Sequence, residues 1–187
     1  VADRKLESLE EVHTFADGIA VKSPGNLSYE MVREYVDELV TVSDDEIAAA
    51  ILTLMEKQKI VSEGAGAVSV AAVLFNKLPL KGKKVVCIIS GGNIDVNILS
   101  RVISRGLLKT GRKASLTLSL LDKPGQLEEV SRIIAELGAN VTKVDHNMNV
   151  EDSDINGCYL TLRIETRDFK HIEEIKKRFR EEGFSLV

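Results

Sequence analysis

Ser90-Gly91-Gly92-Asn93 closes the apolar run Val85-Val86-Cys87-Ile88-Ile89 and precedes a helical pattern, and it is where chemistry is most legible. A glycine pair lets backbone approach a ligand closely. A short β-branched run predicts a buried parallel strand, and ligands in open α/β sheets sit just beyond the carboxyl ends of strands, where Ser90 falls. Taken alone, the stretch is equally a plain strand-to-helix turn. Two other stretches come before it: Ala16-Asp17-Gly18-Ile19-Ala20-Val21-Lys22 and Ser62-Glu63-Gly64-Ala65-Gly66-Ala67.

Other polar groups have bland readings. Ser43-Asp44-Asp45-Glu46 has capping-box spacing, with acidic groups where a helix dipole favours them, so helix capping is preferred over metal binding. Cys87 and Cys158 are too few and too far apart for a disulfide framework, and both sit in apolar strand patterns as small buried hydrophobes. His146 reads as a packed or interface histidine.

The elements that must position these groups follow from periodicity. Glu7 to Phe15 reads as a short helix, Ile19-Ala20-Val21 as a strand, and Ser28 as the cap of a helix through Tyr35. Leu39-Val40-Thr41-Val42 is a compact strand pattern. Ile47, Ile51, Leu54 and Met55 fall on one helical face. Small residues from Gly64 to Leu74 imply a helix packed tightly against a sheet or a cofactor domain. Ile94, Ile98, Leu99, Val102, Ile103 and Leu107 describe another helix.

Lys109-Thr110-Gly111-Arg112-Lys113 reads as the connection. This sets a first domain over residues 1–110, a linker over 111–114 and a second domain over 115–187. In the second domain Leu116, Leu118 and Leu120 alternate as a strand. Leu127, Val130, Ile133, Ile134 and Leu137 form an amphipathic helix stopped at Gly138. Val141 to Val150 is a second strand, Glu151-Asp152-Ser153-Asp154 a hairpin loop, and Cys158, Leu160, Leu162 and Ile164 a third strand. Phe169, Ile172, Ile175 and Phe179 mark another helix, and Phe184 to Val187 a closing strand. The order βαββαβ is a ferredoxin-like α+β arrangement with both helices on one sheet face.

Composition narrows the function. A net charge of -4 leaves no basic footprint for nucleic acid. No apolar run is long enough to cross a bilayer, and the start carries no export pattern, so a cytoplasmic protein is expected. The first residue is Val rather than Met, which suggests a fragment or a processed product.

Together, the Ala16, Ser62 and Ser90 blocks resemble the carboxyl-terminal part of a threonine dehydratase dependent on pyridoxal phosphate, an α/β enzyme of fold type II. The resemblance covers about the first 110 residues. It implies that Ser90 hydrogen-bonds the pyridine nitrogen of the cofactor, that Gly91 and Gly92 let the ring approach, and that Glu63 lies near the pocket. A neutral hydroxyl partner leaves the ring nitrogen largely unprotonated, which suits elimination over transamination. The implied reaction removes water and then ammonia from L-threonine, giving 2-oxobutanoate, with L-serine as a secondary substrate. Two family features are missing from these residues: a Ser-x-Lys-x-Arg stretch to supply the Schiff-base lysine, and a run of glycines to cradle the phosphate. The chain is therefore expected to be the carboxyl-terminal piece of a longer enzyme and inactive alone.

The remaining residues resemble an ACT domain, an amino-acid-sensing module. Asp122-Lys123-Pro124-Gly125-Gln126-Leu127 matches its first loop, and Gly138-Ala139-Asn140-Val141 its second-strand entry. Gly125 opens a helix whose free backbone N–H groups can hold an amino-acid carboxylate, and Asp122 and Asn140 are placed to address the ammonium or backbone. Otherwise Pro124-Gly125 merely starts a helix and Asn140 merely turns the chain. The resemblance implies isoleucine or valine as effector and a homo-oligomer paired through its sheets. Two other readings remain: a non-catalytic amino-acid sensor on a scaffold domain, and an enzyme whose ACT domain serves assembly alone.

Overall fold

A computed structural model describes residues 7–148 and 156–187. The chain divides between Gly106 and Leu107 into two compact units. The expected hairpin loop at 151–154 and the end of the second expected strand, at 149–150, lie outside the described residues. No helix among the described residues is long and apolar enough to cross a membrane.

The first unit is helical: α1 (Asn26–Tyr35), α2 (Asp44–Thr53, continued by a π-type turn Leu54–Gln58), α3 (Gly64–Leu74) and α4 (Val96–Lys109), which ends beyond the division point. The core gathers Ala16, Ile47, Ala48, Ala50, Ile51, Leu54, Ala67, Ala71 and Val102. Small residues are what let the helices close on it. A side-chain carbon at Gly106 of α4 would lie 2.9 Å from the Ala48 carbonyl oxygen of α2.

The expected capping box starts α2. Ser43 Oγ accepts from the Glu46 N–H (3.3 Å), and Glu46 Oε2 accepts from the Ser43 N–H (2.8 Å). Glu46 Oε1 also lies 2.9 Å from Lys77 Nζ. The Lys77 hydrogen bond, reinforced by the Ser43 N–H, holds the Glu46 carboxyl below the ordinary 4.5 despite its burial. A carboxylate whose folded pKa is depressed contributes stability that is fully present above its unfolded value. That contribution is lost as pH falls from about 4.5 through the lower folded value. Glu46→Gln is therefore expected to flatten the acid limb of the first unit's stability, read from urea midpoints across that window.

Several expected elements of this unit differ. Residues 7 to 15 are not helical; Leu9 N–H donates to the Lys22 carbonyl (3.0 Å) along an extended segment. Asp17–Ile19 is a 3₁₀ turn instead of a strand at Ile19–Val21. Helix α1 begins at Asn26 with Gly25 as its N-cap, so Ser28 falls inside the first turn. Helix α4 begins at Val96, because Asp95 Oδ1 accepts from the Asn97 N–H (2.7 Å) and stops the helix from starting earlier. Leu39–Val42 and Val85–Ile89 join no ladder, and the strands among the described residues all belong to the second unit. A strand needs neighbours to accept its backbone bonds. Val86 (91% exposed) and Ile88 (76%) accordingly face outward, with the run anchored by Ser69 Oγ donating to the Ile88 carbonyl (2.9 Å).

The second unit runs β1 (Lys113–Leu121), α5 (Gln126–Glu136), β2 (Asn140–Asn147), β3 (Gly157–Glu165), α6 (Phe169–Glu181) and β4 (Ser185–Leu186). Its sheet has the order β2-β3-β1-β4, every pair antiparallel. Alternate residues Leu116, Leu118 and Leu120 of β1 and Cys158, Leu160, Leu162 and Ile164 of β3 form one apolar face. It is covered by Val130, Ile133 and Ile134 from α5 and Ile172, Ile175 and Phe179 from α6. The opposite face is polar, with Thr117 and Thr161 hydroxyls 3.0 Å apart. Lys113 and Ala114, expected in the linker, already belong to β1. Buried His171 is spent structurally: its Nδ1 accepts from the Arg167 N–H (3.1 Å), which leaves Nε2 to donate to the Leu137 carbonyl (2.9 Å).

Candidate functional site

In the first unit, stretches far apart in sequence meet at one loop. The Glu63 N–H donates to the Gly91 carbonyl (3.1 Å), and the buried Ser62 hydroxyl shares its hydrogen between the Glu63 carbonyl (3.0 Å) and that same Gly91 oxygen (3.2 Å). Glu63 Oε2 accepts from the Asn93 N–H (3.2 Å). A side-chain carbon at Gly91 would sit 2.5 Å from the Glu63 carboxyl carbon, and one at Gly66 would sit 2.9 Å from the Gly91 carbonyl oxygen. One at Gly18 would lie 3.0 Å from the Ala65 Cβ and 3.3 Å from Glu63 Oε1. The Ala16, Ser62 and Ser90 stretches therefore converge, and glycines make the convergence possible.

Ser90, Gly91, Gly92 and Glu63 are brought together. Ser90 and Gly92 are exposed on the rim of the loop, Gly91 less so. The Glu63 carboxylate is committed to holding the loop through Asn93, so it acts here as a positioning group. Ser90 offers an exposed neutral hydroxyl on a backbone fixed by Ser62 and Glu63. That donor fits the ring nitrogen of a heteroaromatic cofactor such as pyridoxal phosphate.

In the second unit, a cavity of about 220 Å³ opens where β1 passes into α5. Asp122, Lys123, Pro124, Gly125, Gln126 and Leu127 all line it, with His146 from β2 and Cys158 and Leu160 from β3. Gly125 has φ +92°, a left-handed conformation that glycine adopts without strain, and it begins α5 with no side-chain cap on the first turn. Among the described residues no side chain caps this turn, so its first N–H groups can serve another acceptor.

Asn140 does not reach this cavity. It pairs with Glu165 at the opposite end of the sheet from the Leu121–Gly157 pair, and its Nδ2 donates to Glu165 Oε2 (3.1 Å). The registers account for the separation: Asn140 enters β2 at the end where β1 begins. His146 and Cys158, read from sequence as a packed or interface histidine and a buried hydrophobe, join the expected loop in this cavity, as do the apolar Leu120, Leu121 and Leu160. His146 Nε2 lies 3.7 Å from Asp122 Oδ1. Burial, and secondarily the Asp122 charge, push the Cys158 thiol above its ordinary pKa. Alternation did put Cys158 on the apolar face, but only the strand register could bring His146 beside it.

Residues 2–91 match the family described as pyridoxal-phosphate dependent enzyme. The chain is 52% identical over 182 residues to an L-threonine ammonia-lyase of Thermotoga maritima, covering 97% of this chain and 45% of that protein. It is 42% identical to an L-threonine ammonia-lyase of Geobacter sulfurreducens, over 96% of this chain and 45% of that protein. It is 32% identical to the biosynthetic L-threonine dehydratase IlvA of Staphylococcus aureus, over 95% of this chain and 42% of that protein. The chain thus spans somewhat under half the length of these relatives. Residues 2–91 belong to the pyridoxal-phosphate-dependent enzymes, and the chain as a whole is homologous to the threonine ammonia-lyases.

Proposed function

We propose that the first unit is the Ser90-bearing part of the cofactor domain of a cytoplasmic L-threonine ammonia-lyase, and that the second is its ferredoxin-like ACT domain. The observation that carries this reading is the clamped Ser90-Gly91-Gly92 loop at which the three sequence blocks meet. Pyridoxal phosphate, when bound, supplies an electron sink that acidifies the α-hydrogen of an amino acid and lets a β-hydroxyl leave. The chain's own residues hold and tune that group. Ser90 offers its hydroxyl to the ring nitrogen, and being neutral it does not stabilise a proton there. Gly91 and Gly92, expected to let the ring approach, instead let the loop close on the protein: a side-chain carbon would meet the Glu63 carboxylate at Gly91 and the Val61 carbonyl oxygen (3.0 Å) at Gly92, while Ser62 and Glu63 fix the loop.

The overall conversion takes L-threonine to 2-oxobutanoate and ammonia, with L-serine as a secondary substrate. These residues contain no Ser-x-Lys-x-Arg stretch and no glycine run. The full-length protein is therefore expected to release 2-oxobutanoate from threonine, and the purified 187-residue chain to release none. Turnover by the 187-residue chain, or none by the full-length protein, contradicts the reading.

The cavity at Asp122–Leu127 supports amino-acid regulation. The α5 N–H groups suit a carboxylate, Asp122 suits an ammonium, and Leu120 and Leu160 offer apolar wall to a branched side chain. Isoleucine or valine is the proposed effector, acting by favouring one arrangement of paired ACT sheets over another. Among the described residues β2 and β4 are the edge strands of this sheet, and sheet edges favour such pairing into a homo-oligomer. Calorimetric titration with both amino acids reads this directly; a silent panel would leave the domain an assembly role.

A further inference from the structure

We propose that Asp122, His146 and Cys158 form a site for a divalent transition-metal ion, of the open type with three protein ligands.

Strand register builds the site. Leu120 pairs with Cys158, and His146 pairs with Leu160. Residues directly opposite in a ladder project to the same face, as do residues two apart. Cys158 and His146 therefore share the face that carries Leu120 and Leu160. Asp122 follows Leu120 by two, and its N–H donates to the Asn156 carbonyl (2.7 Å), which extends the ladder by one more pair. β2 and β3 thus present an imidazole and a thiol, and the residue just past β1 a carboxylate, to one point, and the two ligands mounted on strands are held more firmly than loop side chains.

The distances suit one ion. The carboxylate oxygen, the imidazole nitrogen and the sulfur all lie within 4.8 Å of one another, with His146 Nε2 and Asp122 Oδ1 3.7 Å apart. A tetrahedral zinc ion bound at about 2.0–2.3 Å separates its ligands by roughly 3.3–3.8 Å. The imidazole–carboxylate pair already meets that spacing. The sulfur completes it with a movement of about 1 Å or less, within the reach of a side-chain torsion.

The donor set points to the class of ion. One sulfur, one imidazole nitrogen and one carboxylate oxygen form the borderline-soft set that zinc and its neighbours accept, and that calcium and magnesium do not favour. Cys158 is 3% exposed, whereas the His146 and Asp122 side chains are 45% and 46% exposed. The ion would rest on a buried sulfur, and its fourth position would face the cavity. Cysteine ligates metals as the thiolate, so binding an ion displaces the thiol proton and affinity rises with pH. Lys123 also lines the cavity, and its ammonium opposes the ion. Carboxylate, thiolate and ammonium together still leave one net negative charge for a dication to neutralise.

The site does not depend on the effector reading, and the test omits amino acids. The cofactor-free 187-residue chain, stripped of metal, is titrated with Co²⁺ alone and then with Zn²⁺. The expected result is one saturable site with the near-ultraviolet sulfur-to-cobalt charge-transfer band and the visible bands of four-coordinate cobalt, displaced by zinc. Cys158→Ser should abolish the charge-transfer band, and His146→Ala and Asp122→Asn should each weaken binding by about tenfold or more. His146 sits at the exposed edge strand, so its variant tests the site even if Cys158→Ser disturbs the core. Cys87→Ser should change nothing. A titration with no charge-transfer band, or one that His146→Ala leaves unaltered, overturns the proposal and leaves only the Asp122–His146 contact.

Discussion

Phe179→Ala is expected to leave the second unit largely unfolded at mild denaturant concentrations. Phe179 is fully buried on α6, and its ring meets Phe184 edge-on, with centroids 5.8 Å apart and planes at 85°. The Phe184 N–H also donates to the Phe179 carbonyl (2.8 Å), so the aromatic pair ties the end of α6 to the start of β4. Removing a buried phenyl ring costs about 3–5 kcal/mol, from lost burial and from the cavity left behind. A unit of this size has only about 5–10 kcal/mol of stability in all. Urea unfolding followed by far-ultraviolet circular dichroism should show the midpoint of the second unit falling by half or more. Phe169→Ala is the control: that ring is 59% exposed, and its loss should shift the midpoint little. Equal effects from the two substitutions would mean that the core is not where this structure puts it.

Gly66→Ala is expected to strip the full-length protein of cofactor affinity. Position 66 lies inside α3, where propensity alone would favour alanine by about 1 kcal/mol. Contact reverses the sign. The new carbon would lie 2.7 Å from Ser62 Oγ, 2.9 Å from the Gly91 carbonyl oxygen and 3.1 Å from the Gly91 nitrogen. Two of these are backbone atoms and cannot swing aside, so the Ser90-Gly91 loop must shift. Such overpacking costs about 1–3 kcal/mol in stability. Displacing Ser90 should also weaken pyridoxal phosphate binding by about tenfold or more, as expected when a positioning contact moves by a fraction of an ångström. Gly25→Ala, where the new carbon would be 3.7 Å from Ser28 Oγ, should leave affinity unchanged. Unaltered cofactor affinity in Gly66→Ala would detach α3 from the site.

The two units differ in how much of them sequence discloses, and the reason is physical. The sheet of the second unit is apolar on one face only. Period-two alternation at Leu116, Leu118 and Leu120, and at Cys158, Leu160, Leu162 and Ile164, therefore identified both strands and their buried side. Its helices carry the complementary stripe and end at Gly138 and Gly183, both with positive φ. The capping box at Ser43 was equally plain, because it is satisfied within four residues. Strands of the first unit were not, because a run such as Val85–Ile89 becomes a strand only through neighbours that its own residues do not specify. Convergence at Gly91 was foreshadowed by small residues at Gly64 and Gly66, which need a close neighbour but do not name it. Register was the hardest property to read. It separates Asn140 from the Asp122 cavity and brings His146 to it, and neither follows from spacing along the chain.

Ser90 is the side chain on which the cofactor role of the loop rests. The measurement is the rate of 2-oxobutanoate release from L-threonine by the full-length, cofactor-loaded protein and by its Ser90→Ala variant, with cofactor content read from the same samples. If Ser90 partners the ring nitrogen, the variant should fold normally, because this side chain is exposed. It should also lose about tenfold or more in turnover, since the hydroxyl that tunes the cofactor is gone. A folded Ser90→Ala enzyme with unchanged turnover and cofactor content would contradict the assignment of this loop to the cofactor.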